Sequence, residues 1–282
     1  MNYAEAENIL KLTYAEVQDQ HTSPGGKAFI STHWHRYINI IQALPPLSPE
    51  SRVLEIGASI MSNVLRNRFK VKMFTAYHEL ETEWAARFSK TKTEIEAHPV
   101  ELMRDPLPFA TKSFDVILFD EVMEHFPLAP DFFFKQIFNL LKPGGQLVFS
   151  VPNFATYRHR LDGLLGRNPQ DVMDERFIYY AHHREPVMQE CVQWIEQCGG
   201  EILEKRWSDY LLPLSFFKQI VYLLRYLKHG EIHKIVHTLV PSTRFYIFIR
   251  ARPKSSWSCQ PSELVPPLAK TKEFQRFQSK PG

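Results

Sequence analysis

Hydrophobic and polar positions run with two different periods along this chain. Over roughly the first forty residues the apolar positions recur at helical spacing, as in "GKAFISTHWHRYINIIQAL". "PPLSPES" at 45–51 breaks that pattern and leads into a short apolar run, Arg52–Ile56. Thereafter runs of strand length alternate with stretches of helical period. "VKMFTAY", "FDVILFD" and "QLVFSVP" read as strands, while "ETEWAARFSK" and "DFFFKQIFNLL" read as helices, the second stopped by "KPGG". Residues 186–198 place Val187, Cys191, Trp194, Ile195 and Cys198 on one helical face, with Pro186 at the first position and Gly199-Gly200 closing the helix. "EILEKRW" and "RFYIFIRARP" are the two last strands, with a helical insertion between them. Strands alternating with helices of this length predict βαβ units and a parallel sheet buried on both faces. The predicted organisation is a helical N-terminal cap over 1–47, one α/β domain over 48–254 with its insertion at about 209–242, and a flexible tail over 255–282, where Ser, Pro, Lys and Gln dominate. No internal repeat is present.

Composition narrows the class without changing that picture. Hydrophobic residues make up 44% and charged residues 23%, which excludes a fibrous or disordered chain. A net charge of +3 is too small to argue for a nucleic-acid partner. The three cysteines, Cys191, Cys198 and Cys259, have no metal-like spacing, so no disulfide framework is expected. The opening "MNYAEAENILKLTYAEVQDQ" carries early acids and no basic segment before an apolar run, so no signal peptide is expected. The most apolar stretch, 211–227, is interrupted by Pro213, Lys218 and Arg225 and makes a poor membrane span. These features lead to the expectation of a cytoplasmic protein.

The chemistry concentrates in a few motifs. "RVLEIGASIMSN" has a strand followed by Gly57, which supplies a sharp turn, but Ser59 and Met61 stand where a dinucleotide loop would carry further glycines. "VLEIG", then "DPLPFATKSFDVILFDEVMEHF", then "LLKPGGQLVFSVPN" resemble the successive motifs of class I S-adenosylmethionine-dependent methyltransferases, over about residues 50–205. "HHREP" with the helix after it resembles a segment of the branch acting on sugars, polysaccharide precursors and small molecules. The resemblance implies a doubly wound, mostly parallel seven-stranded sheet of Rossmann-like type, with the last strand inserted antiparallel beside "EILEKRW". It implies S-adenosylmethionine as cofactor. That molecule carries no phosphate, so its loop needs one turn and small neighbours rather than three glycines. Gly57, Ala58 and Ser59 meet this need if Met61 packs into the core; if Met61 fills the cleft, the pocket is closed.

Carried over residue by residue, the resemblance assigns the ribose hydroxyls to Glu79, with Glu81 as the alternative, because an ionised carboxylate offers two acceptors to a diol. It places Glu101 and Leu102 beside the adenine and gives Glu55 the ordering of the loop near the cationic end. Asp120 falls at the strand end where the methyl group is presented. Just beyond it, on the start of a helix, stand Glu121, Glu124 and His125; His125 is the general-base candidate, since histidine titrates near neutral pH. The alternative is that Glu124 and His125 orient the loop. In "YYAHHREP", Glu185 is a helix-cap candidate, Arg184 either binds an anionic acceptor or pairs with Glu185, and the adjacent His182 and His183 lack metal-ligand spacing, so no metal is expected.

Residues 214–229 carry a basic stripe on an amphipathic helix. They read either as a lid over the acceptor or as a peripheral contact with an anionic membrane. Two functions stay open at this point: a methyltransferase acting on a small-molecule or glycan-type acceptor, and a non-catalytic methyltransferase-like binding protein with a degenerate loop.

Overall fold

In the computed structural model, which describes residues 1–17, 30–77, 95–102, 105–126, 130–170, 182–208, 232–260 and 264, the apolar runs become one sheet. Its strands are β1 (Arg52–Ile56), β2 (Lys72–Tyr77), β3 (Ile95–Pro99), β4 (Phe114–Asp120), β5 (Leu141–Pro152), β6 (Gly200–Ser208) and β7 (Tyr246–Pro253). They lie in the order β3-β2-β1-β4-β5-β7-β6. The first five pair in parallel, and β7 is antiparallel to both β5 and β6. Val53, Val116 and the segment around Leu147 therefore share one sheet, and "RFYIFIRARP" is inserted antiparallel as expected.

Period-2 alternation sends neighbouring side chains of each central strand to opposite faces. Leu54, Ile117, Phe119, Leu147 and Phe149 join one buried cluster with α4 (Asp131–Leu140) and α6 (Met188–Gln197). Val53, Met73, Val116, Leu118, Val148 and Phe248 join the other, covered by α1 (Tyr3–Val17) and α2 (Trp34–Ala43). In α1 the buried positions Ala6, Leu10, Thr13 and Val17 step by four, three and four, so one stripe faces the core, packing on α2. The parallel strands are covered on both faces, which explains their near-continuous apolar runs.

Several details differ from the sequence expectation. β3 was not anticipated: "IEAHP" is a half-exposed edge strand without an apolar run. α5 (Tyr157–Leu164) was also missed, because it buries none of its side chains and so has no apolar stripe to read. "KPGG" does not simply stop α4. It forms the irregular start of β5, where the pairing register with β4 shifts and Gly144 takes φ +80°. α6 begins at Met188 with Val187 as its N-cap, so Pro186 lies just outside the helix. Glu185 does not cap it; Glu190 accepts from the Val187 backbone N–H at 3.0 Å instead. Of the insertion, α7 (Ile232–Leu239) is helical. The helix read at 81–90, the stripe at 214–229 and nearly all of the tail beyond 260 lie outside the described residues.

Candidate active site

The carboxyl ends of β1 and β4 build the site. At the end of β1, Gly57 turns with φ +85°, a left-handed conformation that glycine tolerates. A Cβ at this position would lie 2.9 Å from Val122 Cγ2, so the turn packs directly against the loop that follows β4. Residues 57–59 are half-buried, and α3 (Ile60–Val64) starts immediately beyond them. Ser59 is its N-cap: Oγ accepts from the Met61 backbone N–H at 3.0 Å and donates to Glu55 Oε1 at 2.5 Å. Ser62 Oγ donates to the other oxygen of Glu55. Glu55 thus orders the loop through the hydroxyls of Ser59 and Ser62, with the Ser59 backbone also bonded to it. Met61 is fully buried among the residues under α1 and α2, on the core side of α3. The loop's departure from a glycine pattern is therefore filled by a serine cap and a core methionine. The small, half-buried Gly57–Ala58–Ser59 turn fits an amino-acid tail.

The β4 end carries a concentration of acids. Arg36, from α2 and 4% exposed, lies 3.6 Å from Asp120 Oδ2 and 3.5 Å from Glu121 Oε2. Ser150 Oγ donates to Asp120 Oδ1, and to Glu121 Oε1 at 3.2 Å. Glu121 takes φ +53°, a strained position for a residue with a Cβ. Its backbone N–H is tied to the Ser150 carbonyl at 3.1 Å. Beyond it Met123–His125 forms a single 3-10 turn, not the start of a helix. Glu124 is fully buried, and neither of its carboxylate oxygens has a hydrogen bond among the described residues. Nε2 of His125 and Nε2 of His182 each lie 4.0 Å from Glu124 Oε1, and the two imidazole rings meet edge to face at 5.0 Å. The Glu124 carbonyl accepts from the backbone N–H groups of His183 and Arg184 at 2.8 and 3.3 Å, which holds "HHREP" against the turn. Glu185 bonds His182 Nδ1 at 2.6 Å. Arg184 pairs with Glu190 rather than with Glu185, and lies over Trp194.

Burial dominates the protonation of these acids. It pushes Glu55 up to about 8 and Glu121 up to about 7, the latter against the pull of Arg36. Asp120 is raised by burial, again opposed by Arg36. Burial, and then the charge of Glu121, holds Glu124 well above the usual carboxylate range. For Glu55 the consequence has a definite sign. A carboxyl whose folded pKa exceeds its ordinary 4.5 binds its proton more tightly when folded, so stability falls as pH rises from about 4.5 to about 8. Glu55→Gln removes that contribution while keeping partners for both serines. In thermal melts of the free protein across pH 5–8, the variant is expected to gain on the parent as pH rises. Parallel curves would show that Glu55 titrates normally.

The structure thus gathers Glu55, Gly57, Ala58, Ser59, Asp120 and His125 around one pair of strand ends. Asp120 turns its carboxylate inward to Arg36 and Ser150. Leu102 is buried in the core beyond the end of β3 beside the half-buried Glu101. Glu79 and Glu81 lie outside the described residues. Sequence reasoning missed Arg36 and the approach of His182 to Glu124. The first had a signal, since Arg36 interrupts the apolar face of "WHRYINIIQA". The second had none, because His182 stands 58 residues from Glu124 and only the fold brings them together.

Comparison with known proteins places the chain in a family and a fold. Residues 27–189 match the profile of a family described as a methyltransferase domain. No curated protein sequence matches the chain. Among solved structures, a complex of the Haloferax volcanii Trm112 methyltransferase activator with a methyltransferase is similar at TM-score 0.57 and 14% identity, covering 85% of this chain and 98% of that one. An S-adenosylmethionine-dependent methyltransferase from Mesorhizobium loti matches at TM-score 0.53 and 14% identity, over 77% and 96% of the two chains. One from Listeria monocytogenes matches at TM-score 0.51 and 14% identity, over 80% and 98%. At these identities the structural likeness establishes the fold.

Proposed function

This chain belongs to the methyltransferase domain family, and from that premise we propose that it methylates a small-molecule or glycan-type acceptor held beside the turn at Gly57. The enzyme is a methyltransferase that uses S-adenosylmethionine. One observation carries the proposed placement. The Gly57 turn packs against Val122, so the cofactor loop and the Glu121–His125 loop form one mouth at the carboxyl ends of β1 and β4. The half-buried "HHREP" segment supports the acceptor class, because it borders that mouth through His182.

When bound, S-adenosylmethionine supplies a methyl group already activated by its sulfonium. Gly57, Ala58 and Ser59 hold the amino-acid tail, with Glu55 fixing the loop. Glu79 accepts from the ribose hydroxyls, and Glu101 and Leu102 flank the adenine. Asp120 contributes negative charge near the cationic centre. Proton removal from the acceptor falls to the cluster of Glu124, His125 and His182 as a unit, not to His125 alone. The protein's larger contribution is alignment of the acceptor and exclusion of water.

Calorimetric titration with S-adenosylhomocysteine tests this reading. The parent is expected to bind one equivalent, and Glu79→Ala to lose about 1–3 kcal/mol of binding, the scale for hydrogen bonds to a charged group. A parent that binds nothing would overturn the proposed pocket, and an unchanged Glu79→Ala would return the ribose to Glu81.

No helix among the described residues is long and apolar enough to cross a membrane. We retain a peripheral contact through 214–229 as part of the proposal, resting on the basic stripe in its sequence.

A further inference from the structure

Glu124 presents an unsolved problem in charge. A carboxylate taken fully out of water normally recovers the lost solvation through hydrogen bonds or a cation. Here both oxygens are buried without a hydrogen bond among the described residues, although Asp120 and Glu121 stand close by in the sequence and share the Arg36 guanidinium. What does face Glu124 is a pair of imidazole nitrogens. His125 Nε2 and His182 Nε2 each stand 4.0 Å from Oε1, too far for the charge-assisted hydrogen bond of about 2.7–2.9 Å that a protonated ring would make. One ligand atom from each of the three side chains lies within 4.8 Å of the other two.

We propose that Glu124, His125 and His182 bind a divalent transition cation, of the zinc, cobalt or manganese kind. With metal–ligand bonds of about 2.0–2.2 Å, tetrahedral donors lie about 3.3 Å apart, so small side-chain rotations close the 4.0 Å gaps. Two imidazoles with one carboxylate favour borderline transition ions over calcium and magnesium, which prefer oxygen throughout. The surroundings are also those of a ligand set. The 2.6 Å bond from Glu185 to His182 Nδ1 leaves Nε2 as the coordinating atom, the arrangement of a carboxylate–histidine–metal triad. Two backbone hydrogen bonds from His183 and Arg184 to the Glu124 carbonyl fix the two chain segments together. The side chains of His125 and His182 remain about one-third exposed, at 34% and 31%, so the ion has open positions on the solvent side.

The role of the ion rests on the methyltransferase reading given above. The cluster then promotes proton removal by holding the ion rather than by taking the proton itself. An acceptor hydroxyl bound at an open position loses its proton to solvent water more readily, as metal-bound water does. The acceptor oxygen then forms its bond to the methyl carbon as the carbon–sulfur bond breaks, and that bond's electron pair stays on sulfur. His125 is in this view a ligand and not the base.

The test is metal binding itself. Chelator-stripped protein is titrated with Co²⁺, followed by visible absorption and calorimetry. One equivalent is expected to saturate the site and to be displaced by Zn²⁺. Glu124→Gln and His182→Ala should each abolish saturable binding or weaken it more than about 100-fold, and Glu185→Gln, one shell further out, should weaken it about 10–100-fold. Melting curves confirm that each variant is folded, and Glu185→Gln keeps the test open if a ligand variant is not. A parent with no saturable Co²⁺ binding, or binding of unchanged affinity in all three variants, overturns the proposal. S-adenosylhomocysteine binding by the same samples reports the methyltransferase reading separately, so an ion that fails to bind beside a cofactor that does overturns this inference alone.

Discussion

Arg36→Met is expected to lower the unfolding free energy by about 3–5 kcal/mol, the range for removing one partner of a buried ion pair. Methionine replaces most of the arginine's aliphatic volume, so the loss is electrostatic rather than steric. What remains is Asp120 and Glu121, 7% and 11% exposed, with Ser150 as their side-chain donor among the described residues. Arg36 now opposes the effect of burial on both acids, and without it their pKa values rise further. A raised carboxyl loses folding stability as pH climbs past its ordinary value, so the penalty should be larger at pH 8 than at pH 5. Urea unfolding at both pH values measures it. Adding Asp120→Asn and Glu121→Gln to the Arg36 variant should restore much of the stability, because no charge is then left unpaired. A penalty below about 1 kcal/mol, the level of an exposed pair, would mean that water screens the group.

Met61→Gly should be nearly as damaging to the fold and nearly silent at the cofactor. The side chain is fully buried against the N-terminal helices. Truncating a buried methionine to alanine costs about 2–5 kcal/mol, and glycine within α3 adds about 1 kcal/mol. Because the thioether points into the core, S-adenosylhomocysteine affinity should stay within a few-fold when measured well below the variant's melting temperature. A variant that binds the ligand more tightly than its parent would place Met61 in the cleft instead.

These two residues also mark how far the sequence could be read. β1, β4, β5 and β7 were legible because each is covered on both faces and must be apolar almost throughout. The family motifs lie on those same strands and turns, so Gly57, Glu55 and Asp120 could be placed at strand ends before any coordinates. β3 and α5 were not legible, since an edge strand and a solvent-facing helix need no apolar pattern. The acidic cluster was half visible. Glu121, Glu124 and His125 stand within five residues, but their meaning depends on Arg36 from α2 and His182 from beyond β5. Neither neighbour has a local signature that names its partner, because an ion pair or a ligand set is defined by approach in space.

The docking of α1 and α2 also bears on how the chain comes off the ribosome. The surface that covers them includes Phe248, and His33 just before α2 is hydrogen-bonded to Tyr246, 213 residues later. At about 5–20 residues per second, α1 and α2 emerge roughly 10–40 s before β7 exists to receive them. Throughout that interval their apolar stripes and the Arg36 guanidinium have no completed surface to pack against. Nascent chains thus leave the apolar stripes of their N-terminal helices open to mispairing until β7 has emerged.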